Sequence, residues 1–264
     1  MHSPELIGTF TSYHYNSLPM DRMLEATARG EDRHFWFRAL RRNAEALLAA
    51  SLDGRRDVRI VDCGAGTGRN LDWLRRFGPV VGVERSLVGL AAGRARRRPL
   101  VRGSVTHLPL RDASMDVATS FDVLYCLDDE AERKALAEMW RVLTPGGIVL
   151  VNVAALDILH GSHSTLTQEI RRYTKPRLAA RLSAAGFDVT RMTYTHFVTF
   201  PLALAVRWSE RVRGRAATAS DADLRVPAAP VNAILSAALR AEGSLLRWIN
   251  LPVGSSILAV AIKR

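Results

Sequence analysis

The sequence predicts one doubly wound α/β domain built on a parallel sheet. Three observations predict it. Short apolar runs alternate with helix-length amphipathic segments between residues 57 and 153, the first run ends in a cluster of glycines, and no internal repeat or second core follows. With 264 residues, 48% of them hydrophobic and 24% charged, the chain can bury a sizeable core and is neither disordered nor a membrane bundle.

Each element has its own signal. Residues 1–56 read as a polar, aromatic-flecked arm followed by an amphipathic helix from Glu31 to Leu52, whose Phe35, Leu40, Ala44, Leu47 and Leu48 recur at helical spacing. The run from Asp57 to Cys63 reads as a buried strand. Helices are expected at Gly68–Phe77, Ser86–Arg97 and Asp129–Leu143, and strands at Pro79–Val83, Leu100–Gly103 and Met115–Ser120. Thr144-Pro145-Gly146-Gly147 should break the chain before a strand at Ile148–Val153. A polar connection from Ala154 to Tyr173 is too long for a plain turn. A helix at Pro176–Ala185 stops at Gly186, and a strand at Phe187–Tyr194 closes a core of residues 57–196. Residues 197–250 then read as a helical insertion, with helices at Phe197–Arg213 and Ala233–Ile249 and a linker at Gly214–Pro230, before a last strand at Ser256–Ile262 within residues 251–264.

Charge and cysteine content narrow the function classes. The formal net charge is +11, and 34 of the 37 basic residues are arginines scattered along the chain. Scattered charge without interleaved aromatics does not favour nucleic-acid binding. The longest apolar-leaning run, residues 197–206, is about half of what spans a bilayer. The first ten residues lack a secretion signal, so a cytoplasmic protein is expected. Cys63 and Cys126 have neither metal nor disulfide spacing, and no metal is expected.

The most informative stretch is Val61-Asp62-Cys63-Gly64-Ala65-Gly66-Thr67-Gly68-Arg69-Asn70. It lies where a strand gives way to a helix, the ligand-binding edge of an open α/β sheet. A dinucleotide fingerprint would need a third glycine at Arg69. The observed spacing, Gly64-x-Gly66-x-Gly68 headed by Asp62, suits a cationic ligand better than a pyrophosphate. Glu84, directly after the second strand, is placed to accept both hydroxyls of a ribose.

Four stretches in order, VDCGAGTGRN, VVGVERS, GSVTHLPLRDASMDVATSFDVLYCLDD and EMWRVLTPGGIVLVNV, resemble the motifs of class I S-adenosylmethionine-dependent methyltransferases, most of all the small-molecule branch that includes the ubiquinone and menaquinone enzymes. Residues 58–153 carry this resemblance; EDRHFWFRALRR and IRRYTKPRLAARLSAAGF add a weaker one. It implies a Rossmann-like sheet of seven strands with helices on both faces, the last two strands forming an antiparallel edge. It also implies that S-adenosyl-L-methionine is the cofactor. Asp62, Gly64, Ala65, Gly66, Gly68 and Asn70 would surround its methionine and ribose portions, Glu84 would hold the ribose hydroxyls, Arg85, Ser104 and Val105 would lie near the adenine, and Phe121 would close over it. Two positions depart from the pattern. Ser104 stands where relatives often carry an acid, and Leu124-Tyr125-Cys126 replaces a common Leu-Glu-His, so no base is assigned there; Cys126 reads as a buried filler.

Methyl transfer from a sulfonium is an in-line displacement that needs alignment first. It needs a base only for some acceptors. His160, His163 and Tyr173 are the candidate catalytic residues, and Arg171 and Arg172 with Tyr173 are placed to bind an anionic acceptor. Tyr13, His14 and Tyr15 would serve as a lid, His34 and Trp36 as neighbours of the cofactor or of the core, and His107 and His196 as structural histidines. Phe197, Phe200, Leu202, Leu204 and Trp208 suit core packing first, then an apolar substrate, a membrane surface or a second copy of the chain. The expected partner is therefore a small-molecule acceptor, anionic or partly apolar. An RNA methyltransferase of the same fold and a cofactor-binding protein without catalysis are the alternatives.

Overall fold

A computed structural model describes residues 17–161, 164, 168–213 and 224–264. Seven strands form one sheet: β1 (Ile60–Cys63), β2 (Val80–Glu84), β3 (Leu100–Arg102), β4 (Met115–Phe121), β5 (Leu143–Ala154), β6 (Phe187–Thr195) and β7 (Ser256–Lys263), in the order β3-β2-β1-β4-β5-β7-β6. β1 pairs in parallel with both β2 and β4, so the chain reverses its direction of travel across the sheet there. That switch point opens the crevice in which α/β sheets bind ligands. β1, central and covered on both faces, is buried at every position.

The helices are α1 (Ser17–Gly30), α2 (Phe35–Leu52), α3 (Leu71–Leu74), α4 (Leu87–Ala95), α5 (Asp129–Val142), α6 (Lys175–Ala184), α7 (Phe200–Val212) and α8 (Ala229–Leu245). Side chains placed at their starts fix several of them. Ser86 Oγ accepts the amides of Val88 and Gly89 at the head of α4, and Asp128 accepts that of Ala131 at the head of α5. Two apolar clusters, one on each face of the sheet, make the core; α5 and α6 pack into one and α2 into the other.

The last two strands do form an antiparallel edge, in which β7 runs against both β5 and β6 and β6 runs parallel to the rest. Three expectations are corrected. The Thr144–Gly147 turn does not precede β5 but lies inside it. Pairing with β4 passes from Met115↔Leu143 to Val117↔Ile148, and Gly146 takes φ +73° within the resulting bulge. The helix expected at Gly68–Phe77 is regular only over α3, because Arg76 and Phe77 donate to carbonyls three residues back and tighten its end. The stretch before Glu31, expected to be an arm, contains α1. Tyr13, His14 and Tyr15, His163 and the first ten residues of the linker at 214–230 lie outside the described residues.

The insertion is tied to the core by one buried carboxylate. Glu242 on α8 accepts the backbone amides of His196 at 2.6 Å and Val198 at 2.9 Å, bracing the turn between β6 and α7. His196 is fully buried, stacks on Trp36 with ring centroids 5.0 Å apart, and is pushed down to about 4 by burial, so it is a neutral structural histidine. Replacing Glu242 by Ala leaves two buried amides unpaired. It should cost about 2–4 kcal/mol in urea denaturation, whereas a change under about 1 kcal/mol would show that the insertion is held by other contacts.

Candidate active site

A cavity of about 1150 Å³ opens at the carboxyl ends of β1, β2 and β4. Its floor is the glycine-rich turn after β1. Gly64, Gly66 and Gly68 all take positive φ, and a Cβ on Gly64 would stand 2.4 Å from the Val123 side chain. Gly64 therefore has no room for a side chain, and all three glycines hold a backbone shape that other residues rarely adopt.

Glu84 holds that turn in place. Its Oε2 accepts the Gly66 amide and its Oε1 the Ser86 amide, each at 2.7 Å, while the side chain lines the cavity. Gly89 lets α4 approach from behind, since a Cβ there would meet the Gly66 carbonyl at 2.7 Å. Asp62, one strand over, lies beneath the turn. It is 1% exposed and accepts from Thr119 Oγ1 at 2.7 Å, and its Oδ2 has no partner. Burial, with the Glu84 charge adding to it, pushes Asp62 up to about 7.

Of the residues singled out from sequence, Gly64, Ala65, Asn70, Glu84, Arg85, Ser104, Val105 and Phe121 face the cavity together. Asp62, Gly66 and Gly68 lie behind them, supporting the turn rather than lining it. Ser104 Oγ is engaged by Thr106, whose amide and hydroxyl lie 3.2 and 2.8 Å away. The acceptor-side expectations fare differently. Tyr173 is fully buried in the core, donating to Glu132 Oε1 at 2.7 Å, and burial raises its phenol well above the usual range. His160 is exposed on the outer surface, off the cavity wall. Neither position lets its side chain reach the cavity. Arg171 turns away to Glu132 and Asp129, whereas Arg172 reaches the wall, paired with Glu169 and donating to the Ala155 carbonyl at 3.2 Å. Cys126 borders the cavity, but burial raises its thiol, so it is no nucleophile. His34 caps α2, accepting from the Trp36 amide at 3.2 Å, and also borders the cavity.

The sequence reading missed two features. Asp122, next after Phe121, sits at φ +62° and lines the cavity. Asn152 grips it twice: the Asn152 carbonyl accepts the Asp122 amide at 3.1 Å, and Asn152 Nδ2 donates to Asp122 Oδ1 at 2.8 Å. Burial pushes this carboxyl up to about 7. The second feature is the roof. Met20, Met23 and Leu24 of α1 cover the turn, Leu24 lying 3.2 Å from where a Gly66 Cβ would be, and Asp21 accepts from Ser86 Oγ at 2.8 Å. Leu202, Ala203 and Val206 of α7 and Val231 and Leu235 of α8 add an apolar side wall.

Comparison with known proteins agrees with this geometry. The family described as "Methyltransferase domain" matches residues 61–151. A demethylmenaquinone methyltransferase from Mycolicibacterium vanbaalenii is 31% identical over 237 residues, covering 89% of this chain and 85% of that one. The chain belongs to the S-adenosylmethionine-dependent methyltransferases. Another demethylmenaquinone methyltransferase, from Mycolicibacterium gilvum, is 35% identical over 157 residues, 59% of this chain and 63% of that one. The chain spans 61% and 63% of the length of two of the curated relatives it matches. Among solved structures, a 1,6-didemethyltoxoflavin-N1-methyltransferase from Burkholderia thailandensis, 20% identical, superposes with a TM-score of 0.57 over 98% of this chain and 93% of its own, which establishes the shared fold.

Several of the chain's arginines meet carboxylates of its own, as in Arg59–Asp116, Arg98–Asp72, Arg141–Glu138 and Arg181–Asp129. No helix among the described residues is long and apolar enough to cross a membrane.

The raised Asp62 carboxyl has a consequence for stability. The folded state keeps a proton that the unfolded chain releases above about pH 4, so this residue's contribution falls as pH rises from about 4 to 7 and is flat above. Asp62→Asn should therefore melt progressively higher relative to the wild type as pH rises from 5 to 8. A difference in melting temperature that stays constant or shrinks over that interval would show that Asp62 is ionised throughout.

Proposed function

We propose that this protein transfers the methyl group of S-adenosylmethionine to a small organic acceptor bound in the same cavity. The observation that carries the reading is Glu84, a carboxylate on the cavity wall at the tip of β2. Each of its oxygens accepts one backbone amide and keeps lone-pair capacity for a second donor, which is what two neighbouring ribose hydroxyls require. The residues fit the cofactor in other respects too. The turn presents Gly64, Ala65 and Asn70 to the cavity, and the volume exceeds the usual range for one small ligand, leaving room for two.

On this reading Glu84 holds the ribose, the backbone of Gly64 and Ala65 with Asn70 surrounds the methionyl portion, Arg85, Ser104 and Val105 flank the adenine, and Phe121 packs beside it. The bound cofactor supplies an electrophilic methyl group on a sulfonium. The protein's part is to align the acceptor for in-line attack and to keep water out, the second served by α1 above and by α7 and α8 at the side. Asp122 takes the proton that a hydroxyl or activated carbon must lose. Its Oδ1 is fixed by Asn152, its Oδ2 has no hydrogen-bond partner among the described residues, and a carboxyl near 7 changes protonation at working pH. The relatives named as demethylmenaquinone and didemethyltoxoflavin methyltransferases support an acceptor of the small organic class, and the apolar side wall favours a partly apolar one.

Calorimetry with S-adenosylhomocysteine tests the cofactor assignment. Micromolar binding is expected, weakened at least about tenfold by Glu84→Gln, and no binding at millimolar ligand would overturn it. With an acceptor found by mass spectrometry of extracts incubated with labelled cofactor, Asp122→Asn should lower kcat about 100-fold or more with unchanged S-adenosylhomocysteine affinity. Wild-type kcat in that variant would remove Asp122 from the mechanism.

A further inference from the structure

The cavity wall carries more guanidinium charge than the function above uses. Arg69 there pairs with Asp32 and Asp72, and Arg172 with Glu169. Arg41, projecting from α2 onto the same wall, has no such partner: no carboxylate among the described residues lies within ion-pair distance of it. Among the described residues its one hydrogen bond runs from Nη2 to the backbone carbonyl of Glu31 at 2.5 Å, leaving the other guanidinium N–H groups for something in the cavity. Burial, and next the charge of Arg69, push it down to about 10, against the weaker upward pull of the Glu31 and Asp32 carboxylates beyond pairing distance. A half-buried cation with spare donors and a second cation beside it is an arrangement that an anion completes.

The position identifies the anion. Glu31, whose carbonyl holds Arg41, accepts through its own carboxylate from Thr67 Oγ1 at 2.7 Å. Thr67 follows Gly66, whose amide is fixed to Glu84. Arg41 is thus tied, through Glu31 and Thr67, to the turn that lies between the ribose position and β4. S-adenosylmethionine carries a single carboxylate, at the end of its methionyl chain. With the ribose at Glu84, that carboxylate would need a cation elsewhere on the same cavity wall, where Arg41 stands.

We propose that the Arg41 guanidinium binds the α-carboxylate of S-adenosylmethionine, so that α2 contributes a cofactor-gripping residue from outside the glycine motif. The inference rests on the cofactor reading above, and its test separates the two. Calorimetry compares S-adenosylhomocysteine with 5′-methylthioadenosine, which keeps the adenosine and sulfur but lacks the amino-acid end. Arg41→Gln should weaken S-adenosylhomocysteine about 10- to 100-fold and leave 5′-methylthioadenosine within about twofold of wild type, the second ligand doubling as a check that the site is folded. Arg41→Lys should recover part of the loss, because an ammonium keeps the charge but not the two-pronged geometry. Equal weakening of both ligands, or no weakening of S-adenosylhomocysteine, would overturn the role of Arg41 while leaving the cofactor reading intact. Failure of the wild-type protein to bind either ligand would overturn both.

Discussion

The carboxylate of Glu84, held between two backbone amides, is the constraint on which the rest of the site depends. The Gly66 and Ser86 amides belong to loops after different strands, and a single side chain fixes both at 2.7 Å. A glycine-rich turn has high conformational entropy when free. Here it is ordered by a charged acceptor at one point, by Val83 carbonyl contacts from the Gly64 and Ala65 amides at another, and by the roof of α1. Without those ties the loop could sample many shapes, and the cavity floor would have no fixed outline. The residue proposed to hold the ribose is thus also the residue that builds the surface the cofactor would lie on.

Around that floor the chain gathers walls from distant parts of the sequence. α1 and α2 arrive from the N-terminal side, and α7 and α8 from the insertion before the last strand. Buried polar contacts lock these pieces to the sheet. Glu31 joins α1 to the glycine turn through Thr67, and Glu242 joins α8 to the turn after β6. Buried charges of this kind are tolerated when hydrogen-bonded, and they specify one arrangement of the pieces over others. On the side proposed to receive the acceptor, Leu202, Ala203, Val206, Val231 and Leu235 form an apolar stretch of a wall that also carries Asp122 and the Arg172–Glu169 pair.

Much of this was legible in the sequence, for physical reasons. A strand buried on both faces must be a short unbroken apolar run, so β1, β2 and β4 announced themselves, and a parallel sheet followed from the need for crossovers. Glu84 was legible because a charged residue ending such a run has little reason to be there except at a binding edge. The acceptor side was not. Loop residues have no periodicity, and only the tertiary structure shows that Tyr173 turns into the core toward Glu132 while His160 turns out to solvent. Asp122 was hidden for the opposite reason. It reads as an ordinary acid after a strand, and its place on the cavity wall depends on a left-handed backbone and on Asn152 from the neighbouring strand. α1 escaped notice because its apolar face covers a ligand cavity rather than a continuous core, which leaves its hydrophobic pattern sparse.

A crystal structure with S-adenosylhomocysteine bound is the most direct test of the whole account. Both ribose hydroxyls are expected within hydrogen-bond distance of the Glu84 carboxylate, with the glycine turn in the shape seen here. Ligand density elsewhere on the sheet edge, with Glu84 bonded only to the amides of Gly66 and Ser86, would contradict it.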